Sequence, residues 1–240
     1  MTAASLESSP SIAVVIPAYR VEREIEHVIK TLPGEIQHII VVNDASPDNT
    51  HDVVTRLINE EPRLVYIQHE KNQGVGGAMV TGFRKALELD ADLVLKMDGD
   101  GQMDPGLIPG FIEPLIQGKA DFTKGNRFRD TVALRQMPVI RRFGNTMLGF
   151  LAKAATGYWN IFDPTNGYLA IRTDVLRLLP LDKLDKTYFF ETSLLAQLYL
   201  IDAYVRDIPI PARYGDQQSS MNIMRILVDF PPRIFSTIFK

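Results

Sequence analysis

Cysteine is absent from this chain of 240 residues, so disulfides and thiolate metal sites are excluded together. Histidine is scarce, four residues in all, and none lies near the most acidic loop, which disfavours zinc there. No apolar run reaches the ~18 residues that a membrane span requires. The opening stretch MTAASLESSP also lacks the basic start and apolar middle of a signal peptide, so the chain reads as soluble. Neither sign of charge dominates: 26 basic against 29 acidic side chains leave a net charge of −3. That balance gives no general attraction to nucleic acid and leaves any preference for anions to local clusters. Repeats, low-complexity tracts and linkers are missing too, and a composition 45% hydrophobic and 23% charged is that of an ordinary globular domain.

Strand and helix signals alternate. SIAVVIPAY carries a β-branched run over residues 12–16 that Pro17 ends, and Val21, Ile25, Val28, Ile29 and Leu32 follow at helical spacing until Pro33. HIIVVNDASPDNT repeats the plan, with a strand over 39–42, a polar loop and a helix over 48–59. RLVYIQ and VGGAMVTGFRKALEL give a third strand and helix, and ADLVLKM a fourth strand. Such alternation predicts βαβ units and a mostly parallel sheet flanked by helices, with ligands beyond the carboxyl ends of the strands. Past Pro105 the spacing predicts helices over 107–116 and 139–155 and a short strand over 120–123. NGYLAIR follows as a strand, FETSLLAQLYLI as a helix, and AYVRDIPIPARY as extended chain at a sheet edge, where Pro209 and Pro211 are tolerated. One domain is expected over 1–240. Its nucleotide-sugar half is 11–105, its acceptor half 106–218, and 219–240 form an amphipathic end.

The stretch KMDGDGQMDP, directly after the fourth strand, packs three carboxylates and two glycines into a few residues. In extended chain Asp98 and Asp100 project to one side about 6–7 Å apart, close enough to share one cation. Hard oxygen ligands select Mg²⁺ or Mn²⁺, and so few of them imply that phosphate oxygens complete the sphere. A solvated acidic turn is the plain alternative; an EF-hand is excluded because the spaced acidic ligands and terminal Glu are missing.

VVIPAY, VVNDASPDNT, MDGDGQMDP, GNRF, DPTNGYLAIR and FFETSLL stand in the order and spacing of family 2 glycosyltransferases of the GT-A fold. The chain most resembles the branch that uses polyprenyl-phosphate acceptors, like dolichyl-phosphate mannosyltransferase. The resemblance covers residues 12–220. It implies a GT-A, Rossmann-like α/β fold, a UDP- or GDP-sugar donor, a divalent metal, inversion at the anomeric carbon and work at the cytoplasmic face of a membrane. Pro17, Ala18, Tyr19 and Glu22 look like the loop that holds base and ribose, and Asp44 like the acid that reads the base. Asp98 resembles a residue near ribose and metal, and Asp100 and Gln102 resemble direct metal ligands. Where the family usually has Asn after the tyrosine, this chain has Arg20.

Residues 124–142 carry Lys124, Arg127, Arg129, Arg135, Arg141 and Arg142 against the single acid Asp130. Arginine forks match phosphate bidentately, so the cluster suits an acceptor phosphate as well as a solvated basic face. By resemblance Arg127 and Arg141 are acceptor-phosphate arginines, Asn145 stands where the branch often has serine, and Arg213 is the late arginine of an R-x-x-G-x-S-K pattern. That last pattern is broken here to RYGDQQSSMN. A phosphate acceptor is already an anion and needs positioning more than a base. A saccharide hydroxyl would need one, and Asp163 or Glu191 are the candidates, with a turn residue and a helix cap as their structural alternatives. Residues 219–240 alternate large apolar groups with Arg225, Arg233 and Lys240, which fits a helix in a membrane interface as well as one docked on the core. Two rival functions are weak. GVGGAM lacks the third glycine of a dinucleotide fingerprint, and intact Asp98, Asp100 and Gln102 argue against a nucleotide-sugar-binding module without turnover.

Overall fold

The computed structural model describes residues 10–127, 153, 156–159, 161–164 and 166–211. Seven strands form one sheet in the order β3-β2-β1-β4-β6-β5-β7. They are β1 (Ile12–Ala18), β2 (His38–Asn43), β3 (Leu64–Gln68), β4 (Leu93–Lys96), β5 (Phe122–Asn126), β6 (Leu169–Arg172) and β7 (Val205–Pro209). β3, β2, β1 and β4 run parallel; β6 lies antiparallel to both β4 and β5, and β7 returns parallel to β5 at the edge. The mixed, mostly parallel sheet of the sequence reading is thus observed, with β7 at the edge position that its prolines tolerate. The predicted helix over 139–155 lies outside the described residues apart from Lys153, as do Arg141, Arg142, Asn145, Arg213 and the amphipathic end.

Helices α1 (Ile25–Thr31), α2 (Thr50–Leu57), α3 (Gly74–Glu88), α4 (Ile108–Ile116), α5 (Thr173–Leu176) and α6 (Phe190–Leu200) cover the sheet. The central strands read as continuous apolar runs because both faces are covered. Alternate residues part company: Ala13, Val15, Ile40 and Val42 pack with Phe83 of α3 and Leu194 and Leu198 of α6. Val14, Ile16, Ile39 and Val41 pack with Ile25 and Ile29 of α1, Val54 of α2 and Phe111 of α4. Each such large side chain contributes roughly 1.5–3 kcal/mol by leaving water. α3 presses closest: a Cβ on Gly82 would stand 2.2 Å from Val15 Cγ1, so only glycine admits the helix at that depth.

The chain leaves β1 toward β2 and β3 on one side, then crosses back to β4 on the other. The reversal puts a crevice between the carboxyl ends of β1 and β4, where a sheet of this kind binds ligands. Tyr19 and Asp98 fall at those two ends. Among the described residues no helix is long and apolar enough to cross a membrane.

Candidate active site

Two clefts meet at the loop that follows β4. One is lined by Pro17, Ala18, Tyr19, Asp44, Asn72 and Gly74 together with Asp98 and Asp100. The other is lined by Arg127, Asn166, Gly167, Tyr168, Ile210 and Gln102, again with Asp98 and Asp100. The two carboxylates are therefore a shared wall.

On the first side Tyr19 is 43% exposed at the end of β1, its ring available as a flat platform. Arg20, beside it, takes φ 57° and donates its N–H to Ser46 Oγ at 2.7 Å. That left-handed conformation is one that Asn adopts more readily than Arg, which gives a physical reason for the family's usual residue. Asp44 is buried and almost fully engaged. Its Oδ1 accepts from His69 Nδ1 at 2.7 Å and from the Gln73 N–H at 2.8 Å, and its Oδ2 accepts from the Gly74 N–H at 2.7 Å. It therefore holds the start of α3, with one lone pair of Oδ2 left. Glu22 lies outside this cleft, in a shallow depression with Arg20 and Asp48, where its Oε2 accepts from the Asn49 N–H at the start of α2.

The glycines of GVGGAM have a packing explanation. The N–H groups of Gly76 and Gly77 donate to Lys186 O at 2.9 and 3.3 Å, and a Cβ on Gly76 would sit 2.1 Å from Asp185 O. With Gln73 and Gly74 bound by Asp44, four amides at the start of α3 are taken by protein, unlike a helix start that cradles a dinucleotide pyrophosphate.

Asp98 and Asp100 supply hard oxygen donors at the junction, and Gln102, exposed, gives its N–H to Asp100 Oδ1 at 3.1 Å. Burial raises the Asp100 carboxyl above its ordinary value, and the neighbouring Asp98 charge adds to the rise. Among the described residues no three His, Cys, Asp or Glu side chains gather tightly enough to cage a metal. The donor set fits a hard divalent cation that takes its remaining ligands from a phosphate, and not one enclosed by protein alone.

Behind this wall runs a line of buried charge. Lys96, the last residue of β4 and 1% exposed, donates to Asp98 Oδ1 at 2.6 Å and lies 3.5 Å from Glu191 Oε1 on the first turn of α6. Burial works against its charge, but Asp98 and Glu191 outweigh it and hold the ammonium above its ordinary value. Lys124 of β5 is also fully buried and donates to Asn166 O. Its ammonium is pushed down to about 8 by burial. Lys96 and Lys124 both stand in register with Leu169 of β6, so all three share one face of the sheet. Further along, Asp163 is wholly buried; its Oδ2 accepts from Arg127 Nε at 2.7 Å and its Oδ1 from Arg127 Nη2 at 3.1 Å. Asn166 Nδ2 reaches the same carboxylate at 3.3 Å. Both candidate bases thus face cations: Asp163 orients Arg127, whose side chain stays 40% exposed, and Glu191 faces Lys96. Gly167 is needed here, because a Cβ would lie 2.4 Å from Lys96 Nζ and 2.9 Å from Asp98 Oδ2.

The structure brings Pro17, Ala18, Tyr19, Asp44, Asp98, Asp100, Gln102 and Arg127 to the two clefts, with Asp163 and Glu191 behind them. Sequence reading passed over Lys96, Asn72, His69, Asn166 and Gly167. A lysine closing the apolar run ADLVLK was the one signal that pointed to Lys96.

The model of the family described as glycosyl transferase family 2 matches residues 13–179. A UDP-N-acetylglucosamine–dolichyl-phosphate N-acetylglucosaminyltransferase of Methanococcus voltae is 33% identical over 181 residues, 70% of this chain and 72% of that protein. An undecaprenyl-phosphate mannosyltransferase of Micrococcus luteus is 30% identical over 206 residues, 83% and 82% of the two chains. Glucosyl-3-phosphoglycerate synthase from Mycobacterium tuberculosis, solved with Mn²⁺, UDP and glucosyl-3-phosphoglycerate, superposes with a TM-score of 0.68 at 20% identity. That likeness covers 96% of this chain and 79% of that one, and shows the shared GT-A-like fold. With most of its length matched by the family model and by relatives of this kind, the chain belongs to glycosyl transferase family 2 and is a glycosyltransferase.

Proposed function

We propose that the enzyme moves a sugar from a nucleotide-diphosphosugar to a polyprenyl phosphate with inversion at the anomeric carbon, and that it needs Mg²⁺ or Mn²⁺. The observation that carries this reading is the shared wall: Asp98 and Asp100 face a cleft suited to a nucleotide and a cleft that holds Arg127. Tyr19 stacks on the base. Asp98, Asp100 and Gln102 hold the cation, which when bound supplies charge stabilisation to the departing diphosphate. Arg127, aimed by Asp163, receives the acceptor phosphate, a role that the family resemblance also assigns to Arg141 and Arg213, which lie outside the described residues. The named relatives that act on dolichyl and undecaprenyl phosphates support a lipid acceptor, and with it a peripheral place at a membrane surface that residues 219–240 would help to hold.

A phosphate acceptor is favoured over a sugar hydroxyl because it attacks without losing a proton, and the two candidate bases are engaged by Arg127 and Lys96. Uridine is favoured over guanosine by the hydrogen-bond inventory at Asp44. One remaining lone pair accepts the single N3–H of uracil, whereas guanine offers adjacent N1–H and N2–H donors that need both oxygens. Asn72, whose Nδ2 already donates to Asp44 O at 3.1 Å, keeps a second amide hydrogen for a base carbonyl.

The test is transfer of radiolabelled sugar from UDP- and GDP-sugars to polyprenyl phosphate in detergent, with Mn²⁺ or with excess EDTA, and with the product anomer read by NMR. Metal-dependent transfer with inverted configuration is expected. Full activity in EDTA would remove the metal assignment, and transfer to saccharide hydroxyls in preference to the lipid would remove the acceptor assignment.

A further inference from the structure

We propose that Lys96 makes cation binding at Asp98 and Asp100 conditional on the nucleotide, by holding Asp98 in an ion pair that only an added diphosphate can outweigh. This inference rests on the assignment of those two carboxylates to a metal. Its basis is a lysine in an unusual place. Lys96 closes β4 two residues before Asp98, so extended geometry turns both side chains the same way. Its Nζ is 2.6 Å from Asp98 Oδ1 and 3.5 Å from Glu191 Oε1. The side chain is 1% exposed and packed beneath Gly167, where a single added carbon would stand 2.4 Å from the ammonium. Lysines on a surface swing away when a metal arrives; this one is buried.

Charge decides the consequence. Two carboxylates alone would present two negative charges to a cation, but Lys96, held between Asp98 and Glu191, offsets part of that charge. A divalent ion must also approach a like charge that cannot withdraw, a repulsion that grows as the dielectric falls away from that of water. Glu191 shares the ammonium from 3.5 Å but lines neither cleft, and among the described residues no third acid groups with Asp98 and Asp100 to hold the ion. A nucleoside diphosphate brings at least two further negative charges and its own oxygen ligands. Metal and nucleotide then strengthen each other's binding, and by linkage they do so equally. Lys96 is therefore a positioning residue that acts through Asp98, and it sets the low metal affinity from which the nucleotide must lift the site. The bare protein is kept from holding a metal in a form that serves no transfer.

Electron paramagnetic resonance of Mn²⁺ with the full chain, with and without UDP, tests this directly. Without nucleotide, Lys96→Met should bind Mn²⁺ roughly tenfold or more tightly than the parent, because one like charge is gone. With UDP present the variant should still bind Mn²⁺ more tightly than the parent, and UDP should tighten Mn²⁺ in both proteins. Should Lys96→Met leave Glu191 too poorly compensated to fold, the double variant Lys96→Met, Glu191→Gln removes both charges and should show a smaller gain in the same direction. A merely structural lysine gives the opposite sign: loosening Asp98 would weaken Mn²⁺ with and without UDP. Either that result or unchanged affinity overturns the inference and leaves the metal assignment standing. Failure of the parent to bind Mn²⁺ even with UDP overturns the metal assignment, and the inference falls with it.

Discussion

The sheet has two halves that bury different things. In β3, β2, β1 and β4 up to Leu95 the interior is almost wholly aliphatic, and its one buried acid, Asp44, sits at the rim against His69 and backbone amides. From Lys96 onward through β6 and β5 the interior takes in Lys96, Lys124, Asp163 and Glu191 as well. The half built on β3, β2 and β1, proposed to take the donor, is thus held by apolar burial and local backbone geometry, and the half with β6 and β5 by charges that compensate one another. A chain of compensating charges is less tolerant of substitution than an aliphatic interior, because each removal strands its partner away from water.

The sharpest way to break this contrast is Arg127→Met. Among the described residues it leaves Asp163 buried with Asn166, a backbone amide and the charge of nearby Lys124, and should destabilise the fold by about 3–5 kcal/mol in urea unfolding. Tyr19→Ala on the donor side, at an exposed position, should change the same measurement by less than about 0.5 kcal/mol while weakening UDP binding. Asp100→Ala comes next: it should reduce sugar transfer by roughly 10²–10³-fold, the scale on which one electrostatic stabiliser is lost, with the circular dichroism spectrum unchanged.

A third test uses Lys124, whose ammonium burial holds at about 8 against an ordinary 10.5. Below about pH 8 folded and unfolded chains both carry the proton and the burial penalty is at its fullest. Between about 8 and 10.5 the folded chain sheds the proton first, so stability rises with pH, by an amount on the order of 3 kcal/mol. Lys124→Met should remove that rise, and the difference between the two unfolding profiles isolates it. The smallest effect concerns the joint between the halves: Gly76→Ala drives a carbon against Asp185 O and should cost about 1–3 kcal/mol, read as a lowered melting temperature.

The same contrast governs what the sequence discloses. Apolar runs such as AVVI and IIVV mark buried strands, and the polar residues that follow each one stand at the strand ends as expected: Tyr19 after β1, Asp44 after β2, Asp98 after β4. These are local patterns, readable one segment at a time. Lys96 and Lys124 are not, because a lysine in a strand ordinarily faces water, and only the insertion of antiparallel β6 between β4 and β5 places both beside Leu169 under α6. The engagement of Asp163 with Arg127 is likewise set across 36 residues of separation by the return of the chain to the cleft, beyond the reach of any spacing rule. Even the glycines of GVGGAM took their meaning from the loop at Asp185 and Lys186, more than a hundred residues downstream.

The line of buried charges also fixes how the protein should respond to ionic strength. Screening works through mobile ions in water, with a Debye length near 8 Å in physiological salt and about 3 Å at 1 M. The exposed pairs Lys30–Glu26 and Arg56–Glu26 are open to it, whereas Lys96 and Glu191 are sealed from the ions that would screen them. Arg127 stands at the boundary, with one side against Asp163 and the other in the cleft. Concentrated salt should therefore leave the interior intact and compete only at that outward side, raising the KM for a phosphate acceptor well before it disturbs the melting temperature.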